Sequence, residues 1–159
     1  MTGARDLFSS APAANAVPAD DDALFLHASC VAENGRAVLI RGASGRGKSS
    51  LALQMMGYGA DLVADDQTIV RRKGAALYVR APDTTRGLIE ARGVGILKAS
   101  PVGEAQLHLV VDLDGREEDR LPHPRETRIL GCVVPLLLGV DAAYFAAAIL
   151  QFLRHGRNA

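Results

Sequence analysis

Eight consecutive residues, Gly42-Ala43-Ser44-Gly45-Arg46-Gly47-Lys48-Ser49, fit the spacing G-x-x-x-x-G-K-[ST] at every fixed position. Each residue type has a physical reason to be there. Glycines let the backbone curl until successive N–H groups point at phosphate oxygens. A helix starting at the end of the loop adds its partial positive charge. Lys48 is expected to reach the β- and γ-phosphates, and the Ser49 hydroxyl to bind Mg²⁺. A chance glycine-rich turn would need none of the surrounding pattern. Here a β-branched run precedes the loop and helix formers follow it.

Three other places could carry chemistry. Asp65 and Asp66 follow the next strand-like run, where one carboxylate could act as base and another help hold Mg²⁺. A solvated Asp-Asp turn reads as well on these residues alone. His27 lies upstream of the loop in an apolar stretch, where a lone histidine is more often a hydrogen-bonded core residue than a catalyst. Glu90-Ala91-Arg92-Gly93-Val94-Gly95-Ile96 sets a carboxylate, a guanidinium and two glycines in close succession. This stretch could set a metal ligand beside a phosphate clamp, or be a strand with a tight glycine bend.

The elements that must position these groups are read from periodicity. Residues 36–41 form a buried strand, 49–56 a helix stopped by Gly57 and Gly59, and 61–64 a further strand. Adjacent strands would then bring Asp65 and Asp66 near the phosphates. Residues 68–70 and 76–79 read as two strands joined by a turn over 71–74. Residues 107–113 are another strand. Charge, Pro122 and Pro124 make 114–128 an exposed loop. A buried strand over 132–138 and a helix over 142–154 complete an α/β fold with a mixed sheet.

Composition narrows the rest. The 159 residues are 48% hydrophobic and 23% charged, which suits one domain, placed from residue 23 onward after a loosely ordered tail over 1–22. Eighteen basic residues balance eighteen acidic ones, and aromatics are 4%, so a general nucleic-acid binder is disfavoured. Cys30 and Cys132 read as buried thiols without metal-type spacing. Pro135, Gly139 and Asp141 interrupt the longest apolar run, so no membrane span is expected and the cytoplasm is the default.

From about Phe25 to about Val134 the residues resemble HPr kinase/phosphorylase, which phosphorylates a serine of the phosphocarrier HPr. Four linked features carry the resemblance: His27, the loop 42–49, Leu62-Val63-Ala64-Asp65-Asp66, and residues 90–96, similar to the signature E-I-R-G-x-G-I. The resemblance implies a P-loop kinase-like domain of the HPr kinase C-terminal, PEP carboxykinase-like kind, using ATP and Mg²⁺. It implies that Lys48 contacts the phosphates, that Ser49 and Glu90 bind Mg²⁺, and that Asp66 takes the serine proton with His27 beside it. It also implies that Arg120, in Asp119-Arg120-Leu121, stabilises charge on the transferring group. Asp65, Arg92, Gly93 and Gly95 complete the signature positions.

The chain departs from that pattern in places. It resembles a short alphaproteobacterial form without the usual N-terminal domain, and Ala91 replaces the signature isoleucine. The family's P-V-R-P-G-R-N-type segment, linked to dephosphorylation, is not recognisable. Residues 135–141 stand in its place without its arginines, which leaves the phosphorylase activity unsupported. A shortened final tail leaves the family's hexamer open. Two rivals stand beside an HPr-like acceptor: a kinase for another protein or small molecule, and a nucleotide sensor without turnover. Copurified carrier would favour the first reading over the second, and the presence of His27, Lys48, Asp66, Glu90 and Arg120 together disfavours the sensor.

Overall fold

A tight turn sets the centre of the sheet. Asn34 and Gly35 both adopt positive φ, 52° and 77°, as a two-residue hairpin turn of matching twist requires. They fold β2 (Ala28–Glu33) antiparallel onto β3 (Arg36–Arg41). The computed structural model describes residues 23–100 and 102–159. The tail expected over 1–22 lies outside the described residues.

Seven strands run in the order β1 (Ala23–Leu26), β5 (Thr68–Lys73), β6 (Ala76–Arg80), β9 (Ala105–Arg116), β3, β2 and β4 (Asp61–Ala64). Beside β9, β11 (Cys132–Gly139) adds in parallel and carries β10 (Arg125–Ile129) antiparallel on its other side. β9 is twelve residues long, so β6 pairs with its start and β11 with its later part. A separate hairpin joins β7 (Leu88–Ala91) to β8 (Gly95–Lys98). The mixed α/β architecture expected from the sequence is what forms.

Several local expectations change. β2 intervenes between β3 and β4, so the strands flanking the phosphate loop are parallel to each other but not adjacent. β5 runs on through Lys73, which leaves a turn at Gly74. The region read as an exposed loop over 114–128 holds the end of β9 and most of β10. Its charges mask a strand whose turn, Leu130-Gly131, again has positive φ at both positions. β11 is half-exposed rather than buried, because it lies toward the sheet's margin. Cys30 is fully buried, and that burial pushes its thiol well above the ordinary range; Cys132 is only half-buried.

Two apolar clusters sandwich the sheet. In β3, Val38 and Ile40 face one cluster while Ala37 and Leu39 face the other, the alternation a strand imposes. The first cluster takes in α1 (Lys48–Gly57) and α2 (Phe145–His155) through Leu51, Met55, Ile149 and Leu150. Each such buried side chain contributes roughly 1.5–3 kcal/mol. Among the described residues the second cluster takes in no helix; the sheet curls so that β5 and β6 lie over β2 and β4. β9 serves both clusters by a bulge. Ala37 pairs with Leu107 but Val38 with Leu109, so His108 is extra and the strand changes face there. No helix among the described residues is long and apolar enough to cross a membrane.

Candidate active site

β3, β4, β9 and β11 all point the same way, so their carboxyl ends share one edge of the sheet. The phosphate loop leaves that edge from β3. Gly47 caps α1 at φ 97°, a conformation that costs a residue with Cβ, and no side chain caps the helix. The first-turn N–H groups therefore stay open for an anion. Lys48 is 7% exposed, and among the described residues its Nζ donates to neutral carbonyls, Gly42 O at 2.7 Å and Ala43 O at 3.2 Å. A buried ammonium held by carbonyl dipoles suits a phosphate chain.

Asp65 and Asp66, adjacent in sequence, are placed quite differently. Asp65 is 7% exposed and its carboxylate is fully engaged. Oδ1 accepts from Ser29 Oγ at 2.8 Å and Ser49 Oγ at 2.6 Å, while Oδ2 accepts from the Glu90 N–H at 3.1 Å. It ties β2, α1, β4 and β7 together at one point. Asp66 turns outward at φ 69°, a left-handed conformation that Asp tolerates better than most residues. Its Oδ1 lies 3.4 Å from Nδ1 of His27, and both side chains are more than half exposed.

A cavity of about 300 Å³ gathers these groups, with Ser44, Gly45, Gly47, Lys48 and Ser49 on one side. His27, Asp66, Glu90 and Arg92 face them. Glu90 and Arg92 reach it from the β7–β8 hairpin, whose tip turns through Gly93 and Gly95, both at positive φ. The stretch is therefore a strand with a glycine bend, and it also lines the cavity. Because Ser49 donates its proton to Asp65, its lone pairs remain for a cation. With the Glu90 carboxylate beside it, the donor set is oxygen only, which fits Mg²⁺ bound by one or two protein groups plus phosphates and water.

Arg120 is not among the residues lining this cavity. It stands exposed in segment 117–124, just before Leu121 and Pro122, which line a different cavity against β11 and the C-terminal residues. Arg125 anchors that segment through Glu117 at 3.0 Å and holds the Glu117 carboxyl below its ordinary range.

Three positioning residues escaped the sequence reading. Ser29, wholly buried, donates to the Asp65 carboxylate and accepts the Asp66 N–H at 3.3 Å, so it fixes one carboxylate and the backbone that carries the other. Its signal was a polar residue inside an apolar strand, two positions after His27. Asp114 accepts the Ala43 N–H at 3.0 Å and pairs with Arg46 at 3.4 Å, while Asp112 pairs with Arg41 at 3.0 Å. Their signal was alternate placement at the carboxyl end of a strand.

Residues 22–137 match the family described as HPr Serine kinase C-terminal domain. The chain belongs to this family. It is 38% identical over 125 residues to the HPr kinase/phosphorylase of Caldicellulosiruptor bescii, covering 70% of this chain and 40% of that protein. To the HPr kinase/phosphorylase of Leptothrix cholodnii it is 36% identical over 132 residues, covering 74% and 41%. The chain thus spans about 40% of the length of these curated family members. Among solved structures it is similar to the Hpr(Ser) kinase/phosphatase from Coxiella burnetii. The TM-score is 0.69 at 25% identity, over 82% of this chain and 93% of that one.

Proposed function

We propose that this domain transfers the γ-phosphoryl group of ATP to a serine hydroxyl of a small HPr-like phosphocarrier in the cytoplasm. The observation that carries this reading is the contrast between Asp65 and Asp66. One carboxylate is locked into the scaffold and the other stands free beside His27, facing the phosphate loop across one cavity. Family membership supports the choice of acceptor, and residues 23–159 are the unit we assign this role.

Phosphoryl transfer demands positioning and charge neutralisation more than covalent chemistry. The loop N–H groups and Lys48 would cradle the phosphates of ATP. Ser49 and Glu90 would hold Mg²⁺, which when bound offsets negative charge on the phosphate oxygens. Asp66 would accept the proton of the acceptor hydroxyl, and His27 would orient its carboxylate. Arg92 would balance charge from the hairpin side. Arg120 would serve the transferring group only if segment 117–124 or a second copy brought it there. Nothing in residues 135–141 supplies the arginines of a dephosphorylating segment, so the kinase direction is the activity proposed.

The test is phosphotransfer from labelled ATP with Mg²⁺ to the organism's own HPr-like protein, read as phosphoserine by mass spectrometry. Asp66→Asn should keep the left-handed turn and ATP binding while lowering the rate by about 10²–10⁴-fold, the usual worth of a positioned base. An unchanged rate in that variant removes Asp66 from the role. An unlabelled carrier beside intact ATP binding moves the search to another acceptor.

A further inference from the structure

The groups assigned above occupy the flank of the phosphate loop toward β4. The opposite flank holds a second cavity of about 360 Å³ whose shape comes from a break in the parallel ladder. Leu138 pairs with Asp112, but the next residue, Gly139, pairs with Arg116. Residues 113–115 are therefore extra on β9 and bow outward. They form one wall, residues 139–141 form the other, and Arg46 of the phosphate loop closes the near edge.

The cavity is continuous with the loop. A Cβ placed on Gly42 would lie 3.3 Å from Leu113 Cβ, and one placed on Gly139 would lie 3.5 Å from Leu113 Cδ2. Leu113 thus abuts the start of the phosphate loop and the end of β11 together. In open α/β sheets, ligands occupy the crevice outside the carboxyl ends of parallel strands. Here β3, β9 and β11 are the parallel strands that end at this crevice.

A nucleoside triphosphate is a linear ligand. With its transferable end facing Asp66, His27 and Glu90, its other end must leave the loop on the far side. We propose that the cavity between β9 and β11 is the nucleoside subsite, with ribose against Asp141 and base over Arg116 and Val140. This rests on the nucleotide reading above and adds where the nucleoside goes. The Asp141 carboxylate can accept from ribose hydroxyls, and the Arg116 guanidinium offers a flat face for a base. Half-buried Leu113 and Val140 supply apolar surface. Arg116 and Asp141 now pair with each other at 3.4 Å, at 66% and 81% side-chain exposure. A pair that exposed is weak and opens readily for a ligand.

Calorimetry with ATP and with inorganic tripolyphosphate separates the nucleoside from the phosphates. The double variant Asp141→Ala, Arg116→Ala keeps the net charge and removes two exposed side chains. It should raise the Kd for ATP by about tenfold or more, the size expected for lost hydrogen bonds, while leaving the Kd for tripolyphosphate unchanged. In the native chain ATP should bind more tightly than tripolyphosphate. Equal native affinities, or an ATP Kd indifferent to the double variant, overturn the subsite and leave the phosphate loop standing. Failure of the native chain to bind either compound overturns the nucleotide reading and the subsite with it.

Discussion

The two flanks of the phosphate loop are built on opposite principles. Toward β4, one nearly inaccessible carboxylate, Asp65, accepts three hydrogen bonds from three different elements. Toward β11, the walls meet through exposed ion pairs, Arg46 with Asp114 and Arg116 with Asp141, and through a strand that bows out of its ladder. The first arrangement fixes the scaffold beside the groups proposed to react, as catalysis by positioning requires. The second is adaptable, as suits a group that is only bound. The difference also sets the proposed roles of Asp65 and Asp66 apart: one organises the flank and the other stands exposed beside His27.

The largest effect should come where the flanks meet. Lys48→Ala removes the cation assigned to the phosphates, which ATP and tripolyphosphate share, so it should abolish transfer and weaken both ligands together. Binding of tripolyphosphate at native affinity would show that the loop grips phosphates through backbone alone. The comparison of Asp65 with Asp66 comes next. Asp65→Asn sets an NH2 donor against either the Glu90 N–H or the two serine hydroxyls, so it should cost about 1–3 kcal/mol of stability. Asp66→Asn should leave the melting temperature unchanged. Equal melting temperatures for the two variants would mean that the Asp65 network organises nothing.

These flanks differ as well in how far the sequence exposed them. The chemical flank was legible because its spacing is dictated by phosphate geometry: residues of the loop 42–49, Asp66, and Glu90 and Arg92 of the 90–96 stretch line one cavity, with Asp65 buried behind them. The binding flank was not, since it depends on which strands lie side by side. Residues 114–128 looked like a loop by charge and proline, yet the end of β9 and β10 lie there. The Asn34-Gly35 turn was a strong local signal for the hairpin that separates β3 from β4, and reading it would have corrected the sheet order. The bulge at His108 had no such signal. It follows from β9 having to serve two clusters, a demand visible only in three dimensions.

That bulge gives the smallest expected effect and a test of how the binding flank is held. His108 is half-buried at the point where β9 changes face. Desolvation first, and then the nearby Arg36 charge, push its pKa below the ordinary histidine value. The folded chain therefore binds fewer protons than the unfolded one just below that value. Stability from this group is complete above about 6.5, the unfolded value, and is lost as pH falls toward the lowered folded pKa. His108→Gln removes the ionisation and should flatten that part of the melting-temperature profile, leaving the carboxylate-driven loss at lower pH in place. Parallel profiles for the two proteins would mean that His108 charges freely in the fold, and that the change of face in β9 does not depend on keeping it neutral.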